Sequence, residues 1–180
     1  DGRSRLADGA NVCRELHQKL RLECYKSQGK WADLRQMNRP AILTLRTPGS
    51  AEQRHVLIKG IGAQQATLET AVGEQNYPLT VLDTLWTGEF LLLWRSQSGV
   101  AYIGPEVRGQ PVFWLLGRLT ELGLLKPTTS ISDRYDLTLR NALSTFQTSR
   151  GLDADGVAGI RTLIALGDVE PAPPMLGSAP

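Results

Sequence analysis

The stretch STFQTSRGLDADGVAGIRTLIAL, residues Ser144 to Leu166, decides how the last third of the chain folds. Leu139, Ala142, Leu143 and Phe146 recur at helical spacing up to and into it, and Asp133 or Asp136 can cap that helix. Gly151 is a natural stop because glycine takes positive φ without steric cost. Leu152 then folds back towards apolar surroundings, and DADG reads as a tight turn with Gly156 at the unusual dihedral. Val157 returns inward, Gly159 permits a close helix start, and Thr162 and Leu163 open the inward face of a short helix over about Ile160–Ala165. The pattern therefore encodes helix, glycine-punctuated turn, helix.

Outward from there, residues 104–167 show no convincing strand and three helical stretches. The first starts at Pro111 and runs to about Leu122, with Val112, Leu115, Leu119 and Leu122 on one face. The tail VEPAPPMLGSAP, residues 169–180, is proline-rich and is expected to be disordered. Before Ser96 the pattern is different, so a boundary is placed between Ser96 and Ile103. Asp8 is expected to cap a helix over about Ala10–Ser27, with Val12, Leu16, Leu20 and Cys24 on one face and Gly29 as its stop. A short helix follows over Trp31–Met37. AILTLR (Ala41–Arg46), HVLIKG (His55–Gly60) and ATLET (Ala66–Thr70) read as an antiparallel meander. Thr80 with Asp83 suggests a capping box for a helix through Trp86 closed by Gly88, and EFLLLWR (Glu89–Arg95) reads as a buried strand. The fold class is α+β, with residues 1–100 as a sheet domain, 104–168 as a three-helix domain and 169–180 as tail.

Composition narrows the function. The 180 residues carry 20 basic and 18 acidic side chains, a net charge of +2, which is too balanced to argue for nucleic acid. No run approaches the roughly 18 apolar residues that a membrane-crossing helix needs. The chain begins at Asp1 and its only methionines are Met37 and Met175, which reads as a fragment of a longer protein with any signal or anchor upstream. His17 and His55 lie on unrelated elements, and neither an HxxxH nor a CxxC spacing nor a phosphate loop occurs, so no metal or cofactor is expected. Cys13 and Cys24 fit a bridge in an oxidising compartment and equally fit two buried thiols.

Phe146, Gln147, Gly151, Leu152, Asp155, Gly156, Gly159, Thr162 and Leu163 stand at the offsets of the peptidoglycan-binding repeat carried by many cell-wall hydrolases, and this stretch resembles that repeat. GPEV and LLGRLTELGLL upstream are similar to its first helix, although GQPVFW stands where the repeat usually has a Leu-Gln pair. The resemblance implies a groove between the second and third helices. Gln147, Arg150, Asp155, Arg161 and Thr162 are its candidate contacts, because glycan and stem peptide need amide and hydroxyl partners plus charge for carboxylates. The same side chains also fit a solvated surface.

The first domain is similar to the later half of the papain-like peptidases that process bacteriocin leaders. His55 falls at the catalytic histidine and Glu69-Thr70 where an Asp-Pro pair is expected. Neither NVCRE nor LECYK matches the nucleophile turn of that family, and neither cysteine sits at a helix start that would lower its pKa. A peptidase-like scaffold without activity follows, with His55 and Glu69 as degenerate positions. The combination, carrying GKWADLRQMNRPAILTL and LWTGEFLLLW before the repeat, resembles the periplasmic region of the type II secretion protein A family. That implies an inner-membrane protein whose periplasmic part binds peptidoglycan, self-associates, and works with a partner B protein to let the secretin assemble through the wall. An oxidising periplasm favours the Cys13–Cys24 bridge. One rival is a cysteine peptidase or wall hydrolase brought to substrate by the repeat, which requires a reactive thiol near His55. A second is an oligomerisation element with a vestigial repeat.

Overall fold

The computed structural model describes residues 9–127, 132–167 and 176–177. The chain divides into two units, one running to Arg95 and rejoined by Leu176 and Gly177, the other beginning at Ser96. The first is organised around β2 (Ala41–Arg46), whose alternating apolar residues place Ala41 and Leu43 in the core. It lies between β3 (Gln53–Ile61) and β6 (Trp86–Trp94). With β1 (Glu23–Gln28), β4 (Gln65–Thr70) and β5 (Gly73–Pro78) they form a sheet of order β1-β6-β2-β3-β4-β5 in which every neighbouring pair is antiparallel. Ile58, Ala66, Leu68, Phe90 and Leu92 are buried, as are Leu34 and Met37 of α2 (Trp31–Met37). α2 ends where Asn38 turns left-handed at φ 48°, its amide bonding Leu34 O. Arg35 Nη2 donates to Gly62 O at 2.7 Å, fixing the helix to the turn between β3 and β4.

Four features of this unit differ from the sequence expectation. The first helix, α1, covers Gly9–Leu20 and stops there, because Arg21 takes φ 54°. The residues expected to continue it form β1 instead, paired with the apolar β6 from Glu23↔Trp94 to Gln28↔Glu89. Cys24 is thus a strand residue, and the Asp8 cap lies outside the described residues. A capping box at Thr80 does not form. α3 spans only Leu79–Leu82 with Pro78 at its start, and the Asp83 carboxylate accepts Trp31 Nε1 at 2.6 Å. Gly88, at φ 82°, sits inside β6 rather than closing a helix. It lies where the step from Leu43 to Leu45 on β2 is matched by the longer step from Phe90 to Trp86. Thr87 Oγ1 bridges this bulge to Thr44 O at 3.0 Å. β5 is a strand that apolar alternation does not announce. Its residues are nearly all exposed, and it is held by backbone pairing to β4, by Thr67 Oγ1 donating to Asn76 Oδ1 at 2.7 Å, and by Lys59 against Glu69 and Glu74.

Leu176 and Gly177 belong to the first unit, and Gly177 bridges Gly60 in parallel. This much of the tail is ordered against β3, contrary to expectation. The rest of 169–180 lies outside the described residues.

The second unit contains α4 (Gln110–Glu121), α5 (Leu137–Ser149) and α6 (Ile160–Leu166). Asp136 is the α5 cap, its Oδ1 accepting Leu139 N at 2.8 Å. Val112, Leu115, Leu119, Leu139, Leu143, Phe146, Leu163, Ile164 and Leu166 are buried. Two isolated bridges, Ile103↔Ala158 and Arg108↔Arg134, tie the segment before α4 to those leading into α6 and α5. Arg118, almost fully buried, donates through Nε at 3.2 Å and Nη2 at 2.9 Å to Leu166 O and pairs with Glu121. A cation thus sits where the dipole of α6 is negative.

Candidate functional site

The turn joining α5 to α6 is built by Gln147. Gly151 at φ 64° ends α5, and Leu152 N returns to Gln147 O at 2.8 Å. The Gln147 side chain, 1% exposed, then reaches across the loop. Its Nε2 lies 2.9 Å from Asp155 Oδ1 and 2.9 Å from Val157 O, two acceptors for two N–H bonds, with Thr162 Oγ1 at 3.3 Å. Its Oε1 accepts Gly156 N at 2.9 Å. Asp155 Oδ1 also accepts Val157 N at 2.8 Å, the local bond of an Asx turn. Gly156 is needed twice over. Its φ is +72°, and a Cβ there would stand 2.5 Å from Arg140 Cγ and 2.9 Å from Ser144 Oγ.

The structure brings Gln147, Asp155 and Thr162 into one hydrogen-bonded group. Gln147 and Thr162 are placed inside the turn, not on a groove wall: both are buried, and the Gln147 amide is already engaged. Asp155 is exposed at the turn itself. Arg150, exposed at the end of α5, lies with its guanidinium 5.5 Å from the centre of the Phe146 ring. Arg161 is half-buried in the first turn of α6.

Two tyrosines and a glutamate join this surface unannounced. The Tyr135 hydroxyl donates to Gly156 O, and Tyr135 is pushed up to about 12, first by burial and then by the Asp155 charge, with Arg140 opposing. Tyr102 is raised as well, chiefly by its hydrogen bond to Glu106. The aromatic just before the Asp136 cap, in DRYDL, is the one signal that could have pointed to Tyr135. These groups offer hydrogen bonds and mixed charge, the chemistry of recognition.

In the first unit, Cys13 and Cys24 are bonded to each other with Cα atoms 5.8 Å apart, which ties α1 to β1. His55 is exposed on β3 opposite Thr44, and Glu69 on β4 pairs with Lys59 Nζ at 3.2 Å. β1 and β3 are separated by β6 and β2, so Cys24 lies three strand spacings, about 14 Å, from the strand of His55. The fold does not bring sulfur and imidazole together. Lys59 is held above its usual value by hydrogen bonds to Glu74 and then Glu69. Among the described residues, no group of three or more His, Cys, Asp or Glu side chains could hold a metal ion.

Residues 4–96 match the family described as GspA, peptidase C39-like domain, and residues 108–166 match a peptidoglycan binding domain family. The chain is 32% identical over 148 residues to general secretion pathway protein A of Aeromonas hydrophila, covering 81% of this chain and 26% of that protein. It is 29% identical over 151 residues to a general secretion pathway protein A of Escherichia coli K12, covering 82% of this chain and 30% of that protein. It therefore spans between a quarter and a third of these curated relatives. Among solved structures, a periplasmic domain of the EpsAB fusion protein of the Vibrio vulnificus type II secretion system shares the fold at TM-score 0.54 and 23% identity, covering 85% of this chain and 67% of that one. With more than half its length matched from residue 4 to residue 96, the chain belongs to the GspA peptidase C39-like domain family.

Proposed function

We propose that this chain is the non-catalytic, periplasmic, peptidoglycan-binding region of a type II secretion assembly protein anchored in the inner membrane. Residues 104–168 dock on the wall, and residues 1–100 present the surface for self-association and for the partner B protein, so that the secretin can assemble through the wall. Tethering is the mechanism: weak single contacts, repeated in an oligomer, give retention through effective concentration. The observation that carries this reading is the tandem order of the two family matches in one chain, 4–96 followed by 108–166. A non-catalytic role is supported by the disulfide, which occupies both sulfurs and leaves His55 without a thiol partner.

The proposed contacts are Arg150, Asp155 and Arg161, with Gln147 and Thr162 as the supports that shape the turn. Arginine suits the carboxylates of stem peptides because its planar fork donates to both carboxylate oxygens at once. Sedimentation with purified sacculi tests the reading: the chain should pellet with them, and Arg150→Ala with Arg161→Ala should weaken binding about tenfold. Protein left wholly in the supernatant would mean that the repeat is vestigial. Rapid stoichiometric iodoacetamide labelling of the folded chain would instead revive the peptidase reading.

A further inference from the structure

β3 is a central strand, yet one of its edges is open for a short distance. β2 pairs with it only as far as Ala41↔Ile58, while β4 continues on the other side to Ile61↔Ala66. Residues Lys59 to Ile61 therefore carry backbone groups that β2 does not meet. Leu176 and Gly177 supply the missing partners. Gly177 N donates to Lys59 O at 2.7 Å, Ile61 N donates to Gly177 O at 3.0 Å, and Leu176 N donates to Asn38 O at 3.4 Å. The first two are the bracket of a parallel ladder, one residue held between two alternate residues of its neighbour.

The approach depends on a glycine in β3. A Cβ on Gly60 would stand 2.8 Å from Gly177 O and 3.2 Å from Thr67 Oγ1, so the bridging backbone approaches only because residue 60 has no side chain. The acceptor at Asn38 exists because that residue turns left-handed at the end of α2. A strand edge, a glycine gap and a helix stop together make a receptacle for extended backbone.

We propose that Asn38 and Lys59–Ile61 form a docking slot for extended peptide backbone, and that its resident is the chain's own Leu176–Gly177 segment, held as a strap that a competing peptide can displace. Main-chain bonds supply the affinity, as in other strand additions, and the missing side chain at Gly60 lets the added backbone approach. An occupied slot also covers the Ile61 amide and the Lys59 carbonyl, which would otherwise invite edge pairing with another chain.

Amide hydrogen exchange by NMR on the full 180-residue chain tests this. Ile61 N–H should be protected to the same degree at low and high protein concentration. Gly177→Pro deletes the donor to Lys59 and should speed Ile61 exchange about tenfold or more, with Leu43, Ile58 and Leu68 unchanged. Gly60→Ala should do the same. A free peptide PMLGSAP, the sequence of residues 174–180, added to the Gly177→Pro chain should restore slow exchange at Ile61. An Ile61 rate indifferent to Gly177→Pro overturns the docked strap. Failure of the peptide to rescue at millimolar concentration overturns the exchangeable slot. Protection that grows with protein concentration assigns the resident to a second copy and overturns the strap within one chain.

Discussion

Gln147 has the polarity of a ligand contact and the burial of a core residue, and the second decides its role. Replacing it with Leu keeps the volume but strands Gly156 N–H and Val157 O, which it now satisfies. The expected cost is about 3 kcal/mol, which lowers the melting midpoint of a unit this size by roughly 10–20 °C in a calorimetric scan. Its phenylalanine neighbour and the glycines at 151 and 156 were legible, since they follow from helix periodicity and turn chemistry. That the amide faces inward was not, because sequence shows a side chain's chemistry and not which loop closes over it. Tyr135 offers a pH test. Its folded value of about 12 lies above the ordinary 10.0, so the neutral hydroxyl is favoured by folding. Its contribution is whole below pH 10.0 and fades as pH climbs through about 12. Urea titrations across that range should show the decline, and Tyr135→Phe should flatten it.

At the scale of elements, the disulfide closes a span of 11 residues between a helix and a strand. Removing it with Cys13→Ser and Cys24→Ser should cost about 2–3 kcal/mol, read as a lower urea midpoint for the sheet unit. The helical unit, which contains no cysteine, should melt unchanged. Helices α2, α4, α5 and α6 were readable because each has a clear apolar face and a recognisable start or stop, and β2 because it alternates between residues that forbid helix. The elements that escaped have other causes. β1 depends on a left-handed Arg21, a conformation that arginine does not advertise, and on the waiting edge of β6. β5 has no apolar face of its own and exists because β4 offers it six partners. Gly88 was rightly marked as a special dihedral but assigned to a helix end, when the same property serves a bulge.

For the whole molecule, wall binding should travel with one part of the chain. Residues 104–168 expressed alone should co-sediment with sacculi at an affinity close to that of the parent, and residues 1–100 should stay in solution. Equal pelleting of the two pieces would contradict the division of labour proposed above. The network around Gln147 also has a mechanical meaning. A pull delivered through the Asp155 turn is spread at once over α5, α6 and Gly156, because a single amide clasps all three. Bonds loaded side by side share force, whereas bonds loaded in series yield singly. In the wall-binding role proposed above, a unit knotted in this way would yield only when several contacts give way together.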